Sequence, residues 1–255
     1  MKTLVQIFFK CFLVFFMMMC CAFSLSEQSR NEIKSDLYVV LLGSETRVES
    51  VVSVHAQSQE TRPYRIYLYN THQSEEYIDG ITIKEVTSSF AQMLRSEGFE
   101  VVFETADFLE QLHLQNKQYN QLYTISRVYL EEALIHHGPF DLIIDVHRDS
   151  TTRSVSVIEQ DGVEYARLMF VIGEKSENAT QVRQWSQAYT DKMNQSFPGI
   201  MREPFSRQSQ YNQDVSDKML LLEVGSDQNT SSEALRSLRV LVEVLKREGS
   251  AFEGF

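Results

Sequence analysis

Four residues have types and spacings that suit metal-assisted hydrolysis. His72 and Glu75 stand three apart in NTHQSE at 70–75. His147 closes DLIIDVH at 141–147, and Glu223 follows the apolar run MLLL. One turn of chain can aim both members of a His-x-x-Glu pair at a single ion, and His147 would add a second imidazole. Two nitrogens and one carboxylate oxygen form a ligand set that zinc accepts, with the fourth position of a catalytic site kept for water. Zinc lowers the pKa of that water to about 7. A carboxylate outside the metal shell can then take its proton and pass it to a leaving amine. Glu223 suits this role, because an unpaired buried carboxylate is costly without a partner or a task. His-x-x-Glu alone recurs by chance; its weight here comes from company at three separate strand ends.

Those strand ends need a sheet behind them. YRIYLYN at 64–70, FEVVFET at 99–105, DLIIDVH at 141–147 and MLLLEVG at 219–225 are rich in branched and aromatic residues and read as strands. Helical spacing predicts helices over 84–97, 118–137, about 178–196 and about 231–248, the last opened by a capping box, Thr230 to Glu233. VSVIEQDGVEYARLMFVIG at 155–173 reads as a hairpin about Asp161-Gly162. Strands alternating with helices predict an α/β fold, a mainly parallel twisted sheet with helices on both faces. Ligands of such folds collect beyond the carboxyl ends of strands, where His72, Glu75, His147 and Glu223 fall.

The 255 residues suffice for one ordinary domain, and the formal charge of -11, without a basic cluster, argues against a nucleic-acid partner. Lys2 and Lys10 precede an uncharged stretch, Cys11 to Phe23, the pattern of a secretory signal. Residues 1–25 are therefore expected to direct export, either cleaved or retained as a membrane anchor. Cys11, Cys20 and Cys21 are the chain's three cysteines, so a Cys-ligated zinc site or a disulfide in the domain is excluded. Residues 26–63 read as a spacer with a first strand at 36–43, and 64–250 as the zinc-dependent domain.

YLYNTHQSEEY at 67–77, DLIIDVHRDS at 141–150, ARLMFVIGEKSEN at 166–178, FPGIMR at 197–202 and YNQDVSDKMLLLEVGSDQNTSSEA at 211–234 resemble, in order and spacing, the motifs of the stage II sporulation protein P family. The likeness covers roughly 64–247. That family is similar to the type 3 N-acetylmuramoyl-L-alanine amidases, so the resemblance implies an amidase type 3-like, phosphorylase/hydrolase-like fold. It implies a zinc enzyme of peptidoglycan that cleaves the N-acetylmuramoyl-L-alanine amide and cuts cross-links. It also implies work at the sporulation septum beside a glycan-cutting lytic transglycosylase. Carried over by position, it makes His72, Glu75 and His147 the zinc ligands and Glu223 the catalytic base and acid. Glu76 and Glu85 remain rival ligands to Glu75.

Other polar residues keep two readings each. Arg148 either grips a substrate carboxylate or phosphate-like group or pairs with Asp149 or Asp145. Asp145, two residues before His147 on one strand face, is placed to orient it. Asn212, Gln213 and Asp214 either shape a groove or form a turn. Trp185 reads as a core residue, His136 and His137 as the end of a helix, and His55 and His113 have no evident partner. Two further functions stay open: a metallocarboxypeptidase-like enzyme on stem peptides, with Arg148 on the terminal carboxylate, and an exported, non-catalytic wall-binding module.

Overall fold

The structure, a computed structural model, describes residues 62–248. The leader, the strand expected at 36–43 and the segment to 61 lie outside the described residues, so nothing below bears on them. Among the described residues no helix is long and apolar enough to cross a membrane.

In chain order the elements are β1 (Arg65–Tyr69), α1 (Ile83–Ser96), β2 (Glu100–Phe103), α2 (Phe108–Leu114), a 3-10 turn (Tyr119–Gln121), α3 (Leu122–His137), β3 (Leu142–Asp149), the one-turn α4 (Arg153–Ser156), β4 (Val157–Gln160), β5 (Val163–Ala166), β6 (Leu168–Gly173), α5 (Ala179–Ser196), β7 (Phe205–Arg207), β8 (Met219–Ser226) and α6 (Ser231–Glu248). Six strands form one sheet in the order β2-β1-β3-β8-β6-β7. Its pairs are parallel except β6 with β8. The mainly parallel α/β sheet expected from the sequence is thus present.

Period-two side-chain alternation divides the core. Ile66, Leu68, Ile144, Val146, Phe170, Leu220 and Leu222 face α1, α5 and α6, packing with Phe90, Leu94, Val182, Leu238 and Leu241. Tyr67, Tyr69, Ile143 and Met219 face the other way, onto Phe108, Leu112, Leu122, Ile125 and Leu130 of α2 and α3. Each helix side chain so buried stabilises the fold by about 1.5–3 kcal/mol. Further along that second face Met169, Val171 and Leu221 cluster with Tyr211 and no helix residue. From β2 to β6 the sheet is therefore covered on one face and on the other only in part, and edge strand β7 is exposed.

Helix starts follow local chemistry. Thr82 and Glu85 form a reciprocal capping box at α1. Thr230 and Glu233 do the same at α6, at 3.3 and 3.2 Å, as their spacing predicts. The hairpin expected over 155–173 is shorter. Its turn lies at Asp161 and Gly162, both at positive φ, but it joins only β4 to β5. LMFVIG leaves it and enters the main sheet antiparallel to β8, because that run is buried on both sides while β4 and β5 are largely exposed. The helix expected over 118–137 begins as the 3-10 turn. Helix α2 and strand β7 were not signalled by periodicity, being seven and three residues long.

Candidate metal centre

Strand β3 buries Leu142, Ile144 and Val146 toward α1 and α6, so Asp145 and His147 point to the partly uncovered face. On β8 the same alternation sends Glu223 to that face. The β3–β8 register sets His147 directly beside Glu223. One residue later the register shifts, Asp149 pairing with Ser226, and Gly225 in the extra step has φ +65°. An added Cβ there would lie 2.7 Å from Asn229 Oδ1 and 2.8 Å from Ala166 Cβ.

The chain leaves β1 through a tight turn in which Glu75 N donates to His72 O at 3.1 Å. Asp145, fully buried, fastens this exit. It accepts from Thr71 N at 2.9 Å and from Thr71 Oγ1 at 2.7 Å. Gln73 fixes the turn from outside, accepting from Phe108 N at 2.9 Å and donating to Ala106 O at 2.7 Å. His72 and Glu75 are thereby brought over the end of β3.

His72, Glu75 and His147 each offer a ligand atom, and these atoms lie within 4.8 Å of one another. His72 Nδ1 is 3.5 Å and His147 Nδ1 is 3.6 Å from the Glu75 carboxylate. The imidazoles meet edge to face at 5.1 Å. The other edge of His147 turns to Asp145, Nε2 to Oδ1 2.9 Å, out of line for a hydrogen bond. Arg148 N donates to Glu75 Oε2 at 3.1 Å. Burial works against the Glu75 anion, but His147, His72 and that amide outweigh it and hold the carboxyl well below its ordinary value. Burial likewise opposes a charged His147, and Asp145 and Glu75 overcome it, raising the imidazole well above 6.5. Such a set, two imidazoles and one ionised carboxylate with a carboxylate behind one ring, fits a zinc ion's preferences.

Glu223 differs in kind. The side chain is partly buried, and its Oε2 is shut from solvent with no hydrogen-bond partner. Burial first, then Glu75, Asp149 and Asp145, push the carboxyl up to about 7 against the pull of His147. A carboxyl poised near neutrality can both take and return a proton.

The remaining candidates separate cleanly. Glu85 spends its carboxylate on Thr82 N and Oγ1, at 2.9 and 2.7 Å, and exposed Glu76 stands outside the ligand group. Arg148 forms neither ion pair considered for it. Its Nε donates to Glu76 O at 2.9 Å and its Nη1 lies 3.4 Å from Asp149 O, while Asp149 pairs with Arg202 at 2.7 Å. Gln213 clamps the end of β6 through Gly173 N and Val171 O. Asn212 reaches Tyr123 O and Ser126 Oγ, and Asp214 pairs with Arg127; the three pin a turn. Trp185 packs against the core. His113, His136 and His137 lie on helix ends, and His55 is outside the described residues.

Sequence reasoning missed the aromatic collar. Tyr119 stacks on His72 at 5.3 Å and 11°. Tyr123 meets His72 edge-on at 5.5 Å and lies parallel to His147 at 6.4 Å. On a helix start such tyrosines read only as surface or core residues. The cluster opens into a cleft of about 750 Å³, which extends over Met169, Val171 and Leu221 to Phe205, Arg207 and Tyr211.

The family model described as stage II sporulation protein P matches residues 24–246. The stage II sporulation protein P of Bacillus subtilis (strain 168) is 28% identical over 198 residues, covering 70% of this chain and 49% of that protein. The chain thus spans about half the length of that relative. Among solved structures, the CwlD amidase of Clostridioides difficile, in complex with the GerS lipoprotein, superposes with TM-score 0.50 at 11% identity, covering 74% of this chain and 99% of that one. An N-acetylmuramoyl-L-alanine amidase of Clostridium difficile 630 gives TM-score 0.48 at 12% identity over 75% of this chain and 97% of that one.

Proposed function

The chain belongs to the stage II sporulation protein P family, and from that premise we propose that it is a zinc-dependent peptidoglycan hydrolase, an N-acetylmuramoyl-L-alanine amidase that also cuts cross-links. One observation carries the reading: two imidazoles and a carboxylate gathered within 4.8 Å, beside a Glu223 oxygen that is buried and unpartnered. His72, Glu75 and His147 would hold the ion. Bound there, zinc supplies a Lewis acid and a water acidified toward neutrality.

The chain's own groups do the rest. Arg148 N and the two imidazoles keep Glu75 ionised. The buried Asp145 carboxylate, 2.9 Å from His147 Nε2, attracts the imidazole from behind. Glu223, aligned with His147 by the β3–β8 register, takes a proton from the attacking water at its carboxylate and returns it to the leaving nitrogen, splitting the amide into acid and amine. The Arg148 guanidinium lines the same cleft and receives negative charge of the substrate. The substrate lies outside the cytoplasm, which accords with export through residues 1–25, cleaved or kept as an anchor, with 64–250 as the hydrolytic domain. A lytic transglycosylase that cuts the glycan is the expected partner.

The test is incubation of the full chain with purified peptidoglycan, with and without a chelator, and mass spectrometry of what is released. Stem peptides beginning with L-alanine, formed only with zinc, are expected. Glu223→Gln should retain zinc and lose turnover by at least a hundredfold; loss of zinc from that variant would make Glu223 a ligand and end its assignment as base. Release of single C-terminal residues would replace the amidase by the carboxypeptidase-like reading. Wall binding by a metal-free protein without any release would leave the non-catalytic module.

A further inference from the structure

Resting on the hydrolase reading, we propose that Arg148 and Arg207 form a carboxylate-recognition subsite, so that the cleft selects stem peptides whose carboxylates are free over those whose carboxylates are amidated.

The argument starts from charge pairing. The cleft is lined by Glu75, Asp149 and Glu223 and by Arg148, Arg202 and Arg207. Glu75 faces the imidazoles, Arg202 holds Asp149 at 2.7 Å, and Glu223 is reserved for the proton. Arg148 and Arg207 are left, and among the described residues neither forms an ion pair. Six other described arginines, Arg62, Arg65, Arg127, Arg153, Arg183 and Arg202, hold carboxylates, and Arg95, Arg167, Arg236 and Arg247 bond backbone carbonyls; what sets Arg148 and Arg207 apart is that they line the cleft. The two free charges are nonetheless held in place. Arg148 is tied by backbone carbonyls, Glu76 O at 2.9 Å and Asp149 O at 3.4 Å. Arg207 has its Cζ 4.7 Å from the Phe205 ring centroid, a cation–π contact that uses none of the guanidinium's N–H donors on a polar partner.

A guanidinium presents a planar fork that matches a carboxylate in two parallel hydrogen bonds, which an amide cannot reproduce. One fork sits next to the ligand histidine in sequence, and the other is on β7, across a floor of Met169, Val171 and Leu221. An apolar floor between cations suits a peptide of small apolar side chains and carboxylates, the chemistry of a wall stem peptide. Amidation removes the charge and exchanges an acceptor oxygen for a donor nitrogen facing donors, so it weakens both binding and cleavage.

The experiment uses two synthetic muropeptides with the same N-acetylmuramoyl-L-alanine bond and stem carboxylates either free or amidated. Affinity is measured by calorimetry on zinc-loaded, full-chain Glu223→Gln protein, and kcat/KM on the wild type. The free acid is expected to bind at least tenfold more tightly, and Arg207→Gln and Arg148→Gln should each cut that ratio severalfold. High salt should shrink it too. Equal affinity for the two peptides, or binding of neither, overturns the subsite. A preference that survives in both arginine variants overturns its assignment to these residues. Preferential binding without cleavage by the wild type upholds the subsite and removes the amidase reading instead.

Discussion

At the residue scale, Glu223, the proposed base, is a buried carboxyl held at a cost in stability. Its folded pKa of about 7 stands above the ordinary 4.5, so the folded state holds this proton more tightly than the unfolded chain does. The stability this supplies is present below about pH 4.5 and is lost as the pH rises through 7. Above that, the ionised carboxylate destabilises the metal-free protein by on the order of 3 kcal/mol, at about 1.36 kcal/mol per pH unit. Metal-free Glu223→Gln should therefore resist urea better than the wild type at pH 8, and the advantage should shrink toward pH 5. Equal stability at pH 8 would mean that the carboxylate is solvated. Tyr123 makes a second case, since its ring lies 5.5 Å from the imidazole of His72 and 6.4 Å from that of His147, the proposed ligands. Tyr123→Phe should leave zinc affinity near the wild-type value, and Tyr123→Ala should lower it about tenfold. Unchanged competition with a chelating dye in the alanine variant would remove the collar from metal binding. Of this cluster, the sequence placed His72, Glu75, His147 and Glu223 at or beside the ends of apolar strands, and the structure brings the first three within 4.8 Å of one another with Glu223 paired beside His147. The tyrosines were hidden, since their role depends on where α3 lands, which no local pattern encodes.

At the element scale, the position of Glu223 depends on how β8 ends. Strand β8 carries one extra residue against β3 between the Glu223 and Ser226 pairings. Gly225 takes that step at φ +65°, and its missing Cβ leaves room for the Asn229 amide and the Ala166 side chain. Asn229 cannot yield freely, because its Oδ1 accepts from Ser226 N at 2.9 Å and its Nδ2 donates to Glu233 at 2.7 Å. Gly225→Ala is expected to cost about 1–3 kcal/mol, and to lower kcat more than zinc content as Glu223 shifts. Thermal unfolding with metal analysis of the same sample checks both, and a variant with full activity would show that β8 adjusts without moving Glu223. The glycine was visible in LEVG, but the bulge was not, since register is a property of two strands. Long elements were read well because each repeats its period several times: α1, β3, β8 and α6 lie within two residues of expectation. The 155–173 hairpin failed at Arg167, where a run apolar on both faces passes from the small hairpin to the main sheet. Strand β7 has three exposed residues and too few repeats to show any period, yet it supplies Phe205 and Arg207 to the cleft.

At the scale of the whole molecule, the proposed metal centre would also act as a crosslink. His72 and Glu75 lie on the turn after β1, and His147 lies on β3, seventy-odd residues later in the chain. In the apo protein this junction brings together the Glu75 carboxylate, the buried Asp145 and, beyond them, the unpartnered Glu223. A divalent cation, taking the place of the proton that Asp145 and Glu75 hold on His147, would offset that negative charge and tie the turn to the sheet. The unfolded chain has no preformed site, so the ion binds the native state almost alone and binding free energy becomes folding free energy. At a free zinc concentration a hundred times its dissociation constant the gain is about 2.7 kcal/mol, which for a domain of this size raises Tm by roughly 5–10 °C. Calorimetric scans with zinc and with a chelator should differ by that amount in the wild type. The difference should vanish in His72→Ala and persist in Glu223→Gln, because only the first removes a ligand. A scan unmoved by zinc in the wild type would mean that His72, Glu75 and His147 do not bind the ion at these concentrations, and the hydrolytic reading would lose its metal. A shift that survives His72→Ala would place the zinc elsewhere on the acidic surface.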